Sequence, residues 1–410
     1  NRNIYIMTQK QTFQNNILNL INRDEDLFEY DVNANRNEIN TIISSSKFLV
    51  LGGAGTIGQA VTKAIFKQNP SKLHIVDISE NNLVELVRDI RSSLGYINGD
   101  FKTFALDIGS VEYDAFIASD GYYDYVLNLS ALKHVRSEED PFTLMRMINV
   151  NILNTKKTIE QSINKGVKKY FCVSTDKATD PVNMMGASKR ILELFLFQKS
   201  KDITISTARF ANVAFSDGSL LFSFDQRIKK QQPIVAPNDI KRYFITPRES
   251  GELCLMSCLL GDNRDVFFPK QNENLNLISF ADIAINCIKN LGYKPYLCKD
   301  ENEARQLVKS LPQKGKWPYL LTKSDTTGEK DVEEFFTKNE ILDLETYKTI
   351  GIIKNDLDIT LDDKLDAFSN SIQKLKEKKS WTKDEITTIF HTILPNFNHK
   401  ETGVFLDHKM

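Results

Sequence analysis

The sequence predicts an α/β fold: a doubly wound, parallel Rossmann sheet with a smaller lobe and helical extensions at both termini. Two observations predict it. Short apolar segments alternate with amphipathic helical patterns from about residue 47 to residue 210, a spacing typical of parallel strands joined by right-handed helical crossovers. A glycine-rich turn at 52–58 directly follows the first apolar segment, as in sheets that bind a ligand beyond the ends of their strands.

The composition is that of an ordinary soluble globular protein. Of 410 residues, 41% are hydrophobic and 26% are charged, and the net charge of −1 gives no general attraction to nucleic acid or to an anionic membrane. No apolar run approaches the roughly 20 residues that span a bilayer, and no signal-peptide pattern follows Arg2. The five cysteines lack metal-type CxxC spacing, which fits reduced thiols. We therefore expect a cytoplasmic protein without a metal site.

Shifts in composition divide the chain into four expected segments. Residues 1–46 form a helical N-terminal extension, and residues 47–210 form the Rossmann domain. Residues 211–300 build mainly a substrate-binding lobe interleaved with the sheet, and residues 301–410 form a polar, lysine-rich C-terminal extension. Helical patterns in the two extensions lie at 330–336, at 362–378 and at Phe13, Ile17, Leu20 and Ile21.

Within the Rossmann domain, each short apolar run predicts a strand and each amphipathic run predicts a helix. The predicted strands are 48–51, 73–78, 102–108, 125–130, 170–174 and 203–210. The predicted helices are 57–67, 82–94, 111–118, 141–165 and one that begins near Ala187 and ends near Lys199. Because the carboxyl ends of parallel strands meet at one edge of the sheet, polar residues there are the candidate site residues.

The end of the first strand carries a phosphate-binding pattern. Gly52, Gly55 and Gly58 follow it at GxxGxxG spacing, and Thr56 and Ile57 begin the next helix. Glycine is needed because a Cβ would block the approach of a pyrophosphate to the N–H groups of the helix N-terminus. This order of strand, glycines and helix predicts a dinucleotide-binding site.

The next strand ends supply the rest of the predicted cofactor site. Asp77 ends the second strand, where a carboxylate accepts hydrogen bonds from the adenosine ribose and repels a 2′-phosphate, which favours NAD over NADP. Asp107 and Ile108 end the third strand, where an adenine edge is read. Ser130 and Ala131 end the fourth strand, where we expect the nicotinamide half of the cofactor.

Of four further candidate positions, three have two interpretations each. Lys133 contacts a phosphate or the cofactor, or is only a solvated cation, whereas for His134 we favour a hydrogen-bonded structural histidine over a catalytic one. Asn212 follows the sixth strand and is a candidate substrate contact. Arg242 is the candidate for a bidentate clamp on a substrate diphosphate, or it only packs beside two aromatic residues.

The stretch 174–190 is where we expect the chemistry. Thr175, Asp176 and Lys177 follow the fifth strand directly, and a second lysine, Lys189, lies on the helix that follows. An acid beside an amine at a strand end suits general acid–base catalysis. The alternative is that this Ser-Thr-Asp cluster is only a turn and a helix N-cap.

Several motifs together resemble the nucleotide-sugar 4,6-dehydratases of the extended short-chain dehydrogenase/reductase superfamily, in the CapD-like polysaccharide-biosynthesis branch. The motifs are GGAGTIG, LDI, SALKHV, INVN, STDKATDPVNMMGASKR and RFANVAFSDGS. They agree in order and spacing over about residues 47–270. The segment KSDTTGEKDVEEFF at 323–336 is similar to the tail of soluble members associated with legionaminic-acid-type sugar synthesis.

The resemblance implies a reaction on UDP-N-acetylglucosamine or a close relative, with NAD as cofactor. A hydride leaves C4, water leaves across C5 and C6, and the hydride returns to C6 to give a 4-keto-6-deoxy sugar. It also implies that Asp176 is the acid, that Lys177 is the base and that Thr175 hydrogen-bonds near O4. The two ionisable side chains attract each other, and this attraction shifts both pKa values away from those roles.

One position departs from the wider superfamily. The tyrosine of the usual YxxxK element is replaced by Met185, whose thioether has no proton to exchange, so Met185 cannot be the base for the C4 hydroxyl. Lys189 still matches the lysine that binds the nicotinamide ribose, and Asn149 in INVN is expected to contact the cofactor. By resemblance, methionine here favours retention of configuration at C5.

Other hypotheses stay open at this point. A nucleotide-sugar 4-epimerase shares the first half-reaction, although epimerases usually need the missing tyrosine. A non-catalytic NAD-binding Rossmann protein is the second alternative. We also expect a homo-oligomer, because members of the superfamily commonly pair through two helices, here 141–165 and 187–199.

Overall fold

The computed structural model describes residues 16–271, 275–330 and 332–405. Phe13, expected on the first helix, lies outside these residues. The strands are β1 (Lys47–Leu51), β2 (Lys72–Asp77), β3 (Asp100–Ala105), β4 (Tyr125–Asn128), β5 (Lys169–Thr175), β6 (Thr204–Phe210), β7 (Asn212–Val213), β8 (Ile234–Pro237), β9 (Lys241–Arg242), β10 (Phe244–Ile245), β11 (Val266–Pro269), β12 (Ile278–Ser279), β13 (Lys294–Leu297), β14 (Lys316–Thr322), β15 (Ile341–Asp343) and β16 (Ile350–Lys354).

The helices lie on both faces of the sheet and at both ends of the chain. They are α1 (Ile17–Leu20), α2 (Glu29–Ala34), α3 (Arg36–Ser44), α4 (Thr56–Phe66), α5 (Glu80–Ser93), α6 (Val111–Ser119), α7 (Pro141–Ile148), α8 (Asn154–Asn164), α9 (Met184–Lys199), α10 (Leu220–Lys229), α11 (Pro247–Leu260), α12 (Phe280–Asn290), α13 (Glu301–Leu307), α14 (Asp362–Lys378) and α15 (Lys383–Ile393). A π-helical turn, Asn149–Leu153, joins α7 to α8, so the long helix predicted at 141–165 is interrupted.

One large sheet organises the fold. Within the described residues it has nine strands, in the order β15-β16-β11-β6-β5-β4-β1-β2-β3. From β3 to β11 the neighbours pair in parallel, and only β16 and β15 run antiparallel to their neighbours. The predicted α/β fold with a Rossmann-like sheet is therefore confirmed. The chain order reverses between β1 and β4, which is the switch point where such sheets bind ligands.

The two faces of the sheet have separate cores. Along β1, Phe48 and Val50 pack into one hydrophobic cluster with α4 and α11, whereas Leu49 and Leu51 pack into another with α6 and α9. Alternate side chains of a strand point to opposite faces, so a strand covered on both sides must be apolar throughout. This explains why β1 is a continuous apolar run rather than an alternating one.

A smaller lobe follows the parallel strands. Its sheet has the order β13-β14-β8, and its core includes Trp317 and Tyr319 from residues 301–410 as well as Leu20 and Ile21 from the N-terminal extension. The same C-terminal segment also contributes β15 and β16 to the large sheet. Residues after 300 thus supply strands to both sheets, and residues before 47 pack into the core of the lobe.

The last two helices cover a face of the Rossmann domain. Leu365, Phe368 and Ile372 on α14, with Phe390 and Ile393 on α15, share one buried cluster with α7 and α9. These covered helices are the pair that we expected to join two subunits. Because the chain buries their apolar side chains under its own C-terminal helices, that face is closed within one protomer.

Three local predictions differ from the structure. Residues 330–336 do not form a helix among the described positions, because their side chains and carbonyls bind neighbouring elements instead. The helix expected near Ala187 begins at Met184, since the Asn183 side chain accepts a hydrogen bond from the N–H of Gly186 and caps it. β3 ends at Ala105, which leaves Asp107 and Ile108 in the following loop.

In the part of the chain that the structure describes, no helix is both long enough and apolar enough to span a bilayer.

Candidate active site

The glycine turn after β1 leaves the N-terminus of α4 open. Gly52 has φ of +70°, and a Cβ on it would lie 2.8 Å from the N atom of Ser130. A Cβ on Gly58 would lie 2.1 Å from the carbonyl oxygen of Gly52. Both positions therefore require glycine. At Gly55, the nearest atom to an added Cβ is 3.7 Å away, an ordinary contact, so the protein itself leaves room for a side chain at this helix start.

Two predicted residues continue from this turn into the helix. The Thr56 hydroxyl accepts a hydrogen bond from the N–H of Asp217 at 3.0 Å, which ties the start of α4 to the loop after β7. Ile57 is half-buried against the core cluster on that face of the sheet. Thr56 and Ile57 thus hold the helix N-terminus between the sheet and the lobe.

Asp77 lies at the end of β2 beside the glycine turn, as the sequence predicted. Its carboxylate accepts hydrogen bonds from the N–H groups of Ala54 and Ser79, both at 2.9 Å. These bonds fix its position at the turn. Asp107 is exposed and accepts a hydrogen bond from the N–H of Gly109 at 2.8 Å, while Ile108 is buried in the core on the α6 side.

The loop after β4 lies next to the same turn. Ser130 donates its N–H to the Asn128 side chain at 3.1 Å, and Ala131 is half-buried. The Lys133 ammonium donates to the Ser216 hydroxyl at 3.2 Å, across to the lobe, although the side chain is largely exposed. Burial lowers the pKa of His134, which favours the neutral ring.

The side chains of Asn149 and Asn151 have different hydrogen-bond partners. The amide oxygen of Asn149 accepts a hydrogen bond from Lys376 on α14 at 2.9 Å. Asn151 is fully buried and binds both the N–H and the carbonyl of Leu132, at 2.9 and 3.0 Å. Asn151 therefore shapes the predicted nicotinamide end of the site, and sequence reasoning missed it because both asparagines lie in the same INVN motif.

Thr175, Asp176 and Lys177 come together as the sequence predicted. Lys177 Nζ lies 3.1 Å from Asp176 Oδ1, and the Thr175 hydroxyl donates to the same carboxylate oxygen at 2.9 Å. Lys177 also donates to the side-chain oxygen of Asn212 at 3.2 Å. The Thr175 hydroxyl accepts from the N–H of Lys177 at 3.3 Å, so the alternative capping role is also present. The two interpretations are compatible.

The ionisation of Lys177 is governed by its neighbours. Burial acts to lower its pKa, but the carboxylates of Asp176 and Glu333 outweigh this effect, and the net pKa is raised. Lys177 is therefore an ammonium ion in this arrangement. A base at this position must first lose that proton.

Met185 and Lys189 lie one helical turn apart at the start of α9. Met185 is buried in the cluster that α14 and α15 cover. The Lys189 ammonium donates to the carbonyl of Val173 at 3.1 Å, and burial lowers its pKa. The carbonyl bond aims Lys189 at the carboxyl end of β5.

Arg242 is buried, with only 4% of its surface exposed. Its guanidinium contacts the Glu329 carboxylate at 2.7 Å and the carbonyl of Lys330 at 2.8 Å. The candidate diphosphate clamp is thus paired with an acid of the C-terminal segment. Sequence reasoning did not connect these residues, because they lie far apart in the chain and neither is part of a periodic pattern.

Glu333 is a second residue that the sequence did not single out. It is 5% exposed, and its negative charge contributes to the raised pKa of Lys177. Its only sequence signal was its place in the tail motif VEEFF.

Residues 48–355 match the family described as polysaccharide biosynthesis protein. The chain belongs to this family. An uncharacterized membrane protein of Methanocaldococcus jannaschii is 28% identical over 77% of this chain and 88% of its own length. The capsular polysaccharide biosynthesis protein CapD of Staphylococcus aureus is 27% identical over 81% of this chain. The chain spans about half, 53%, of the length of CapD.

The relatives and the similar solved structures are named for more than one activity. A UDP-glucose 4-epimerase of Rickettsia prowazekii is 30% identical over 54% of this chain and 65% of its own length. Pen from Bacillus thuringiensis has a similar fold, with a TM-score of 0.63 and 23% identity over 77% of this chain and 89% of Pen. The dTDP-glucose 4,6-dehydratase DesIV from Streptomyces venezuelae, solved with NAD and TYD, has a TM-score of 0.54 and 13% identity over 83% and 99% of the two chains. At these identities the structural likeness establishes the fold alone. The family match places the chain among polysaccharide biosynthesis proteins.

Proposed function

We propose that this protein is an NAD-dependent nucleotide-sugar 4,6-dehydratase. Its substrate would be UDP-N-acetylglucosamine or a related nucleotide N-acetylhexosamine, and its product the 4-keto-6-deoxy sugar nucleotide. The observation that carries the proposal is the Asp176–Lys177 pair, an acid and an amine 3.1 Å apart at the carboxyl end of β5. An elimination needs both an acid and a base at adjacent carbons.

The cofactor assignment is supported by the glycine turn and by Asp77 at the end of β2. NAD, when bound, would accept the C4 hydride and return it to C6. The residues proposed to hold it are Gly52, Gly55, Thr56, Ile57, Gly58, Asp77, Asp107, Ile108, Ser130, Ala131, Lys133, Asn149 and Lys189. The carboxylate of Asp77 would repel the 2′-phosphate of NADP, which supports NAD.

The side chains of the site give a consistent path for the protons. The O4 proton released at C4 can pass to the Thr175 hydroxyl, which is bonded to Asp176 at 2.9 Å. Asp176 then carries the proton that the departing C6 hydroxyl needs. Lys177, whose side chain is 21% exposed, first releases its ammonium proton to solvent, and the neutral amine then removes the C5 proton. Met185 has no part in this transfer, so the missing tyrosine does not block it. When the hydride returns to C6, the Lys177 ammonium can protonate C5.

Substrate contacts are proposed for Lys133, Asn212 and Arg242. Asn212 is held against Lys177 at 3.2 Å, which supports a place beside the reacting sugar. Arg242 would bind the diphosphate only if its contact with Glu329 opens or is shared. We further propose retention at C5, a role in surface-glycan or legionaminic-type acid synthesis, and a homo-oligomer. Its subunit contact would have to avoid the face covered by α14 and α15.

A 4-epimerase is the second candidate, because the Rickettsia prowazekii relative bears that name. The buried Asp176 supports dehydration instead, since epimerisation at C4 needs no acid for a leaving hydroxyl. Incubation with NAD and UDP-N-acetylglucosamine separates the two. Dehydration lowers the product mass by about 18 units, the mass of one water, whereas epimerisation leaves it unchanged. An unchanged mass with an altered C4 configuration would refute the dehydratase.

A further inference from the structure

A short stretch of the C-terminal segment places a carboxylate on the guanidinium of Arg242. We call residues 326–330 the latch segment. Glu329 Oε2 lies 2.7 Å from Arg242 Nη2, and the side chains of the two residues are 36% and 5% exposed. The carboxylate therefore covers the guanidinium on the side that faces solvent, which is the side from which a dissolved anion would approach.

Arg242 lies beside the proposed reacting groups. It stands on β9, two residues before Phe244 of β10, and Phe244 pairs in parallel with Asn212 of β7. The N–H of Asn212 donates to the carbonyl of Tyr243 at 3.1 Å, and its side-chain oxygen accepts a hydrogen bond from Lys177 at 3.2 Å. One short step along the backbone thus separates Arg242 from the residue that contacts Lys177.

The latch segment is bonded to both sides of this region. The Arg242 guanidinium donates to the carbonyl of Lys330 at 2.8 Å, and Lys330 Nζ donates to the carbonyl of Thr179 at 2.7 Å. Within the segment, the Thr326 hydroxyl donates to Glu329 Oε1 at 3.3 Å. The segment therefore joins β9 to the turn after β5, and it holds the Glu329 carboxylate at Arg242.

This arrangement conflicts with the binding of a diphosphate at Arg242. A guanidinium binds phosphate oxygens through the same paired N–H groups that bind a carboxylate. A carboxylate already bound there competes with the diphosphate for those donors, and its negative charge repels the diphosphate.

We propose that Glu329 is an affinity-determining residue, which occupies Arg242 before substrate binds and must be displaced by the diphosphate of the nucleotide sugar. A buried cation without a partner is costly, and Glu329 supplies the partner while the site is empty. Binding then exchanges one anion for another, and the partly exposed Glu329 carboxylate is released to solvent. This inference rests on the proposed function, because it takes Arg242 as the group that binds the substrate diphosphate.

The test compares Glu329→Gln with Glu334→Gln, which removes the same charge at an exposed position nearby. Glutamine keeps an oxygen that can accept a hydrogen bond from Arg242 but does not repel a phosphate. Calorimetric titration with UDP should therefore give a Kd about tenfold lower in Glu329→Gln than in the parent. Glu334→Gln should match the parent, and uridine, which has no phosphate, should bind all three proteins equally. An unchanged or higher Kd for UDP in Glu329→Gln would overturn the proposal.

A second comparison asks whether the effect passes through Arg242. Arg242→Gln should weaken UDP binding, and adding Glu329→Gln to it should restore little, because the two anions no longer compete for a guanidinium. The same gain in UDP affinity with and without Arg242 would overturn the proposal. In steady-state dehydration, Glu329→Gln should lower KM and leave kcat unchanged. If the parent dehydrates no nucleotide sugar, the proposed function fails, and the UDP titrations still decide whether Glu329 competes for Arg242.

Discussion

At the scale of single residues, Asp176 is the group with the most defined chemical task. We predict that Asp176→Asn lowers kcat for dehydration by about 10²- to 10⁴-fold, because an amide cannot protonate the leaving hydroxyl. Steady-state kinetics with UDP-N-acetylglucosamine measures this. Asp180→Asn is the matched control, since Asp180 is exposed and its φ of 43° is one that asparagine tolerates. Parent-like kcat in Asp176→Asn would remove Asp176 from the mechanism.

Two glycines of the turn after β1 have different tasks. Gly58→Ala should destabilise the fold, because its Cβ would lie 2.1 Å from the Gly52 carbonyl oxygen. Gly55→Ala should leave the melting temperature nearly unchanged, because the new Cβ lies an ordinary 3.7 Å from the Gly52 carbonyl oxygen, and it should weaken NAD binding by crowding a pyrophosphate at the helix start. Thermal unfolding and NAD titration separate the two effects. Equal NAD affinity in Gly55→Ala and the parent would place the pyrophosphate elsewhere.

Whether a contact between two residues could be predicted depended on how far apart they lie in the sequence. The approach of Thr175, Asp176 and Lys177 was predictable because they are neighbours at one strand end. The contact between Lys177 and Asn212 follows from adjacent parallel strands, β5 and β6, which end at the same edge. Glu329 and Glu333 were not predictable as site neighbours, because no periodic pattern connects residues 329–333 with residues 176–242.

At the scale of elements, a buried ion pair fastens the loop of residues 332–340 to the sheet. Arg209 on β6 binds Glu193 of α9 and Glu340 of the loop, both at 2.8 Å. Burial acts to raise the pKa of Glu193, but the Arg209 guanidinium outweighs it and brings the value to about 2. A folded pKa below the ordinary value means that this stabilisation is complete above about pH 4.5 and is lost as pH falls toward 2.

We predict that Glu193→Gln lowers the free energy of unfolding at pH 7 by about 3 kcal/mol, because it removes one of the two carboxylate partners of the buried Arg209 guanidinium and leaves Glu340 as the other. The difference from the parent should shrink as pH falls from about 4.5 to about 2. Urea unfolding across pH measures it. Glu160→Gln, which removes an exposed partner of Lys199, should cost less than about 1 kcal/mol. A pH-independent difference for Glu193→Gln would contradict the assigned ionisation.

The C-terminal helices are a second element-scale feature. Phe368 on α14 is 1% exposed between α9 and α15. Phe368→Ala should lower the free energy of unfolding by about 3–5 kcal/mol, because it leaves a cavity in this cluster. Lys374→Ala on the exposed side of the same helix should change it by less than about 0.5 kcal/mol. Equal stability of the two variants would mean that α14 is not packed as described.

Elements with a strong period were predicted best. The helix at 362–378 matches α14, since Leu365, Phe368 and Ile372 recur at helical spacing and are buried on one face. The segment 330–336 was wrongly expected to be helical. It is fixed by bonds to Arg209 and Arg242 rather than by its own periodicity, and such tertiary contacts override a short local pattern.

At the scale of the whole molecule, the parallel order of the sheet followed from the alternation of strands and helices. The positions of the N-terminal and C-terminal extensions did not follow from this alternation. The N-terminal extension reaches the lobe through Leu20 and Ile21 and reaches the C-terminal segment through Asp31, which accepts the N–H groups of Lys348 and Thr349 at 2.8 and 2.7 Å. These contacts join distant parts of the chain, and composition alone cannot pair them.

The central claim is that Asp176 and Lys177 eliminate water across C5 and C6 of a nucleotide sugar. The most direct test is NMR and mass analysis of the product formed from UDP-N-acetylglucosamine and NAD in D2O. The account predicts a 4-keto-6-deoxy sugar with deuterium at C5, protium delivered to C6 and the parent configuration at C5. A product of unchanged composition without carbon-bound deuterium would contradict it.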